Sequence, residues 1–139
     1  MTVIKKHSKK REAILETICS TTTHPTAEWV YMRVKQKYPD ISLGTVYRNI
    51  SSFVDEGTIM QVTTVNGQSR YDGNVKPHNH FVCESCGSVI DIMTDFDTGS
   101  FDDEVRQIYD FDVSGHQLIF YGKCKKCKDT RNKPENQVG

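Results

Sequence analysis

Nothing in these 139 residues looks like a membrane span or an export signal. No stretch approaches the ~20 apolar residues that cross a bilayer, so no membrane partner is expected. The start is basic and polar, with no apolar run leading to a cleavage site, so no secretory leader is expected. A reducing, cytoplasmic location follows from that reading. Net charge is also missing, since 18 Lys and Arg balance 18 Asp and Glu. So are an obvious catalytic nucleophile, a cofactor motif and a second large substrate domain, which argues against an enzyme. Hydrophobic residues at 36% and charged residues at 26% suit a soluble globular chain of one ordinary domain or two small ones.

What is present is a concentration of metal-binding side chains. His78-Asn79-His80-Phe81-Val82-Cys83-Glu84-Ser85-Cys86 is answered by Cys124-Lys125-Lys126-Cys127. Four of the five cysteines fall into two C-x-x-C pairs. Thiolates bind Zn²⁺ tetrahedrally, and Cys83, Cys86, Cys124 and Cys127 supply four. The spacing lets both sulfurs of a pair face one ion across a tight turn, which Gly87 suits. Residues 87–123 are longer than the insert of a zinc ribbon, so the ion would staple two distant parts of one domain. The alternatives are a disulfide framework and a redox C-x-x-C. A reducing compartment favours metal over the first, and the second would need no partner pair. His78 and His80 add half of a second metal site. Two metal sites without a nucleophile point to a sensor rather than an enzyme. Cys19 is in line with Ile14, Leu15 and Ile18 and is read as core, with a reactive thiol as the alternative.

Charge is unevenly distributed. Residues 1–72 hold 10 Lys and Arg against 7 Asp and Glu, and residues 73–139 hold 8 against 11. The basic excess sits at Lys5, Lys6, Lys9, Lys10 and Arg11, which suits nucleic acid or a solvated tail. Ser8 can cap a helix with Ile14, Leu15 and Ile18 on one face. Thr26 can cap a second, with Val30 and Val34 inward, that Tyr38-Pro39 ends near Lys37. Ser42 can cap a third, with Val46, Ile50 and Phe53 inward and Gly57 as a stop. Thr58–Thr64 and Gln68–Asp72 read as strands joined at Asn66-Gly67, a strong hairpin signal. Three helices and a hairpin are the plan of a winged helix-turn-helix. On the third helix, Thr45, Tyr47, Arg48 and Asn49 then face outward near the N-terminus, where recognition helices meet base edges. Arg can grip guanine and Asn adenine, while Lys9, Lys10 and Arg11 are candidate phosphate contacts.

The second half reads as a small α/β unit. Residues 73–77 are a plausible hinge between a domain at 1–72 and one at 78–128. Phe81-Val82 and Val89–Met93 read as strands flanking the first knuckle. Asp97 or Ser100 can cap a helix with Phe101, Val105 and Ile108 in one stripe. Phe111–Ser114 and Gln117–Tyr121 read as two further strands. A frayed polar tail is expected over 129–139. The fold class is therefore α+β: a winged helix-turn-helix DNA-binding domain followed by a zinc-stapled α/β domain.

In this order the motifs resemble the ferric-uptake-regulator (Fur) family of bacterial metal-dependent repressors. The resemblance runs from about Lys6 to Cys127. It rests on His24-Pro25-Thr26-Ala27, Ser42-Leu43-Gly44-Thr45-Val46-Tyr47-Arg48-Asn49, Arg70-Tyr71-Asp72, the His78–Cys86 run and Tyr121-Gly122-Lys123-Cys124. It implies that the second domain dimerises and that a homodimer binds a near-palindromic double-stranded DNA operator. It also implies a regulatory site of His24, Asp72, His78, His80 and Asp91, drawing ligands from both halves. Nitrogen and carboxylate donors suit Fe²⁺ or Mn²⁺.

Asp at 72 and 91 resembles the family's peroxide-sensing repressors (PerR), where iron-uptake regulators usually carry Glu. The resemblance implies that peroxide oxidises His24 or His78 through bound iron. Arg48 stands where many peroxide sensors carry Asn, and Ser8-Lys9-Lys10-Arg11 replaces the usual Thr-Pro-Gln-Arg. Pro77 and Asn79 stand where some members carry ligands of a further metal site, so His116, which matches another ligand of that site, is read as structural or as supporting a ligand. Three other readings remain. One is a reversible iron or manganese sensor of the same family. Another is a non-haem iron enzyme built on His78, His80 and a carboxylate. The last is a zinc-stapled protein-interaction module.

Overall fold

The computed structural model describes residues 8–131, and the chain divides into two compact units at Lys76/Pro77. Lys5, Lys6 and residues 132–139 of the expected tail lie outside the described residues.

In the first unit, local capping chemistry sets the helix starts. Ser8, Thr26 and Ser42 each accept a hydrogen bond from the backbone N–H three residues on, at 3.3, 3.0 and 3.1 Å. They open α1 (Lys9–Cys19), α2 (Ala27–Lys37) and α3 (Leu43–Asp55). Each cap satisfies a donor that the first turn would otherwise leave unpaired, worth about 1 kcal/mol. Gly57, at φ 77°, ends α3. Thr58 N–H donates to Phe53 O at 2.9 Å and Gly57 N–H to Val54 O at 3.0 Å. These two bonds form a Schellman motif. They also explain why the next strand starts later than expected, because Thr58 is spent closing the helix.

Strands β1 (Met60–Val65) and β2 (Gln68–Asp72) pair antiparallel around Asn66 and Gly67, both at positive φ. That is the backbone a tight hairpin turn requires. Ile14, Ile18, Val30, Val34, Ile41, Val46, Ile50, Phe53, Ile59 and Tyr71 pack with Ala27 into one core. Leu15 is only partly buried against it. Cys19 departs from expectation: it is exposed, not core. It is the last residue of α1, turned one position past the buried Ile18. Gly73 runs alongside, where a Cβ would lie 2.9 Å from the Cys19 sulfur.

The second unit is a three-stranded sheet with two helices. Strand β3 (Asn79–Cys83) lies centrally, antiparallel to β4 (Val89–Ile92) and parallel to β5 (Ile119–Gly122). Helix α4 (Phe101–Tyr109) opens at Ser100, whose side chain makes no capping bond. The strand expected at Phe111–Ser114 is not formed. Asp110 turns the chain left-handed at φ 59°, and Arg106 takes the Val113 carbonyl at 2.8 Å, so this stretch joins no ladder. A fifth helix, α5 (Lys125–Arg131), was not expected and makes residues 129–131 helical rather than frayed. It begins beside the second knuckle, where Lys128 N–H donates to Cys124 O at 2.8 Å. Among the described residues, no helix is long and apolar enough to cross a membrane.

Candidate metal centres and DNA-contact surface

The four thiols of the two knuckles converge within the second unit. One sulfur from each of Cys83, Cys86, Cys124 and Cys127 lies within 4.8 Å of the others, and none is in a disulfide. The Cys86 and Cys124 sulfurs are 3.9 Å apart. A tetrahedron with Zn–S bonds of about 2.3 Å has edges of about 3.8 Å, so the spacing fits zinc. Strand β3 ends on Cys83, and Gly87 turns back to β4 at φ 76°. The backbone N–H groups of Cys124 and Cys86 point at the Cys83 sulfur, at 3.3 and 3.4 Å. These hydrogen bonds lower its pKa to about 6. The Ser88 hydroxyl and backbone lower that of Cys86. Hydrogen bonding to Cys124, with burial, pushes Cys127 up to about 12. In this arrangement Cys83 gives up its proton more readily than Cys127. Four thiols converging at this spacing are a donor set that could hold a structural zinc ion.

Histidine and aspartate are paired in each unit. In the first, His24 is 1% exposed and its Nε2 lies 3.2 Å from Asp72 Oδ2. His24 has φ 57°, a backbone that non-glycine residues adopt only when their surroundings enforce it. Strand β2 supplies that enforcement. Arg70 donates through Nε to His24 O and through Nη2 to Thr23 O at 2.7 Å, and Tyr71 N–H donates to Pro25 O at 3.1 Å. Burial lowers the pKa of Arg70 from its ordinary value. The same strand then presents Asp72, so three consecutive residues place one carboxylate and one imidazole.

In the second unit, His80 on β3 faces Asp91 on β4 in register. Asp91 Oδ1 lies 2.8 Å from His78 Nε2 and 3.3 Å from His80 Nε2. The two imidazoles are 4.4 Å apart. Nitrogen and carboxylate donors of this kind suit Fe²⁺ or Mn²⁺ rather than the soft ions that thiolates select. His116 Nδ1 lies 2.9 Å from Asp102 Oδ1 and its ring packs on Phe101.

The outward residues of α3 are tied to one another. Tyr47 and Arg48 are exposed, and Thr45 and Asn49 are half-buried. Tyr47 donates its hydroxyl to Glu28 at 2.9 Å, a bond that raises its pKa. Arg48 donates to the Thr45 hydroxyl at 3.1 Å. Lys9 is exposed, and Lys10 pairs with Asp40 at 3.1 Å. Arg11 is placed otherwise than a simple phosphate contact. Its guanidinium lies over the Phe53 ring at 4.2 Å and bonds to side chains of α3 and its C-cap. The sequence alone carried no sign of that network.

Comparison with known proteins agrees with this arrangement. A family model described as the Ferric uptake regulator family matches residues 4–121. The peroxide-responsive repressor PerR of Staphylococcus epidermidis is 38% identical over 127 residues, covering 88% of this chain and 81% of that protein. The ferric uptake regulator of Helicobacter pylori, whose structure is described as having three functional metal-binding sites, superposes with a TM-score of 0.75 at 27% identity. It covers 88% of this chain and 82% of its own. The Campylobacter jejuni peroxide stress regulator superposes with a TM-score of 0.69 at 28% identity, covering 85% and 88%.

Proposed function

Because the chain belongs to the ferric uptake regulator family, we propose that it is a metal-dependent DNA-binding repressor that senses hydrogen peroxide by oxidation of a ligand histidine. The observation that carries the reading is the pairing of imidazole with aspartate in both units, at 3.2 Å for His24 and 2.8 Å for His78. Each pair offers a nitrogen and an oxygen to one cation. On the family pattern, His24, Asp72, His78, His80 and Asp91 serve a single regulatory Fe²⁺ or Mn²⁺. The identity to a peroxide-responsive repressor supports the subtype.

His24, Asp72, His78, His80 and Asp91 would hold the ion, and Fe²⁺ there would supply the electrons for reducing hydrogen peroxide beside an imidazole, which Mn²⁺ would not readily do. The chain's own residues do the positioning. Asp91 orients both His78 and His80, while Arg70 and Tyr71 hold the loop that presents His24. A cation that binds one arrangement of these donors better than another shifts the population toward it. Loss of a ligand imidazole removes that bias and releases DNA.

The DNA-binding form is a homodimer acting in the cytoplasm on a near-palindromic operator, read by Thr45, Tyr47, Arg48 and Asn49, with Lys9 and Lys10 on phosphates. Dimerisation is supported by α4, whose apolar stripe is exposed, with Ile108 at 70%. A stripe of this kind calls for a partner surface. The test is retention of operator DNA by the Mn²⁺ and Fe²⁺ forms, each with and without brief dilute peroxide. Release from the iron form alone is expected. Release only on chelation of iron would instead identify a reversible iron sensor, a reading that the likeness to the Helicobacter pylori regulator favours.

A further inference from the structure

Arg11 lies on α1, yet every side-chain bond it makes is to α3 or its C-cap. Nη1 donates to Asn49 Oδ1 at 3.3 Å and to Ser52 Oγ at 3.2 Å. Nη2 donates to both oxygens of Glu56 at 3.0 Å. Ser52 donates in turn to Glu56 at 2.8 Å, and the guanidinium plane covers Phe53. A guanidinium has donors only. The Asn49 group facing it must therefore be the carbonyl oxygen. At its other end Asn49 Nδ2 donates to Thr45 O at 2.9 Å. Both ends of the amide are thus specified, and the orientation that is often ambiguous for asparagine is set here by chemistry.

We propose that Arg11 is a positioning residue of the DNA-reading surface: its fork fixes the one orientation in which Asn49 meets a base. This rests on the DNA-binding reading and deepens it. Each end of the bonded amide keeps one unused function, a lone pair on Oδ1 and a hydrogen on Nδ2. That is the acceptor and donor pair an adenine edge requires. A flipped amide would offer the reverse pattern. Arg11 also neutralises Glu56, whose carboxylate would otherwise repel phosphates from the end of α3. The first task needs the planar fork and the second needs only a positive charge, so lysine separates them.

The test is selection from a random duplex DNA pool by the full-length, zinc-replete, Mn²⁺-loaded protein and its variants. Arg11→Lys keeps overall affinity within about twofold. It loses about tenfold of the base preference at the positions where Asn49→Ala also loses it, within the discrimination of a bidentate contact. Glu56→Gln, which leaves the Arg11–Asn49 bond in place, retains the parent preference. Thermal midpoints confirm that each variant is folded. Several outcomes overturn the inference. If Arg11→Lys selects with the parent's full preference, charge alone suffices and the fork positions nothing. If Arg11→Ala keeps every base preference but weakens selected and random DNA alike and flattens the salt slope by about one, Arg11 is a phosphate contact. If Asn49→Ala keeps every preference, or Glu56→Gln loses the same positions, Asn49 is not the group being positioned. A parent protein that selects no sequence overturns the DNA reading itself, a different result from any of these.

Discussion

Replacing Cys124 with serine should unfold the second unit and leave the first standing. Among the described residues of the second unit, only His80, Val82, Cys83 and Val89 are buried. Burying two valines contributes about 3–6 kcal/mol. Ordering the backbone costs about 1 kcal/mol or more for each residue fixed, and some fifty residues must be fixed. The apolar core of this unit alone is far too small to hold it. A structural zinc ion contributes about 10–16 kcal/mol, or about 2.5–4 kcal/mol for each of four thiolates. Losing one thiolate therefore removes a large share of a stability that is typically about 5–15 kcal/mol in total. The first unit has its own core from Ile14 to Tyr71 and no share in the thiol site. Hydrogen exchange reads the two units separately. The amides of His80, Cys83 and Glu84, bonded to Leu118, Ser88 and Gly122, should lose protection in Cys124→Ser. Those in the interior of α2 and α3 should keep it. Equal protection of the sheet in the zinc-free variant would refute the reasoning, as would retention of zinc.

Other consequences can be measured in parallel. Arg70→Ala frees the His24 loop from its clamp and should weaken Mn²⁺ binding at least tenfold with zinc content unchanged; calorimetry showing parental affinity would contradict the role of the clamp. Arg48→Ala should lose about 1–3 kcal/mol on the operator and relax its specificity. Lys9→Ala should weaken all sequences alike and flatten the salt slope, and equal losses on operator and random DNA for Arg48→Ala would count against base readout. Zinc uptake by the metal-free protein should be proton-linked. The thiols of the unfolded, metal-free knuckles must release protons as they take up zinc, Cys127 most of all, since the folded arrangement without an ion holds its proton up to about 12. Zinc affinity should therefore rise with pH above neutrality, and chelator competition giving a flat profile would refute the assignment of these protons.

The legible parts of the fold were the local ones. Ser8, Thr26 and Ser42 announce helix starts because a cap bond spans three residues, and Asn66-Gly67 announces a turn because it needs positive φ at two neighbours. The thiol site was legible because knuckle spacing is itself local. Longer-range features were hidden. Phe111–Ser114 has strand composition, yet a strand exists only where an edge accepts it, and Arg106 takes the Val113 carbonyl instead. Helix α5 is too polar for periodicity to reveal. Cys19 shares the apolar line of α1 but falls at its final residue, past the core. The donors around His24 came from resemblance, because its backbone conformation and the Arg70 clamp join residues 46 positions apart. Arg11 reads from sequence only as a candidate phosphate contact for the same reason, since its partners lie 38 to 45 residues away.

Peptide mass spectrometry of the iron-loaded protein after brief, dilute peroxide tests the central claim most directly. The account requires a gain of one oxygen on a peptide holding His24 or His78, in step with DNA release. The peptides of Cys83, Cys86, Cys124 and Cys127 should be unmodified and the zinc retained, and the Mn²⁺ form should show neither oxidation nor release. DNA release that instead tracks zinc loss and disulfide formation, with both histidines intact, would contradict it.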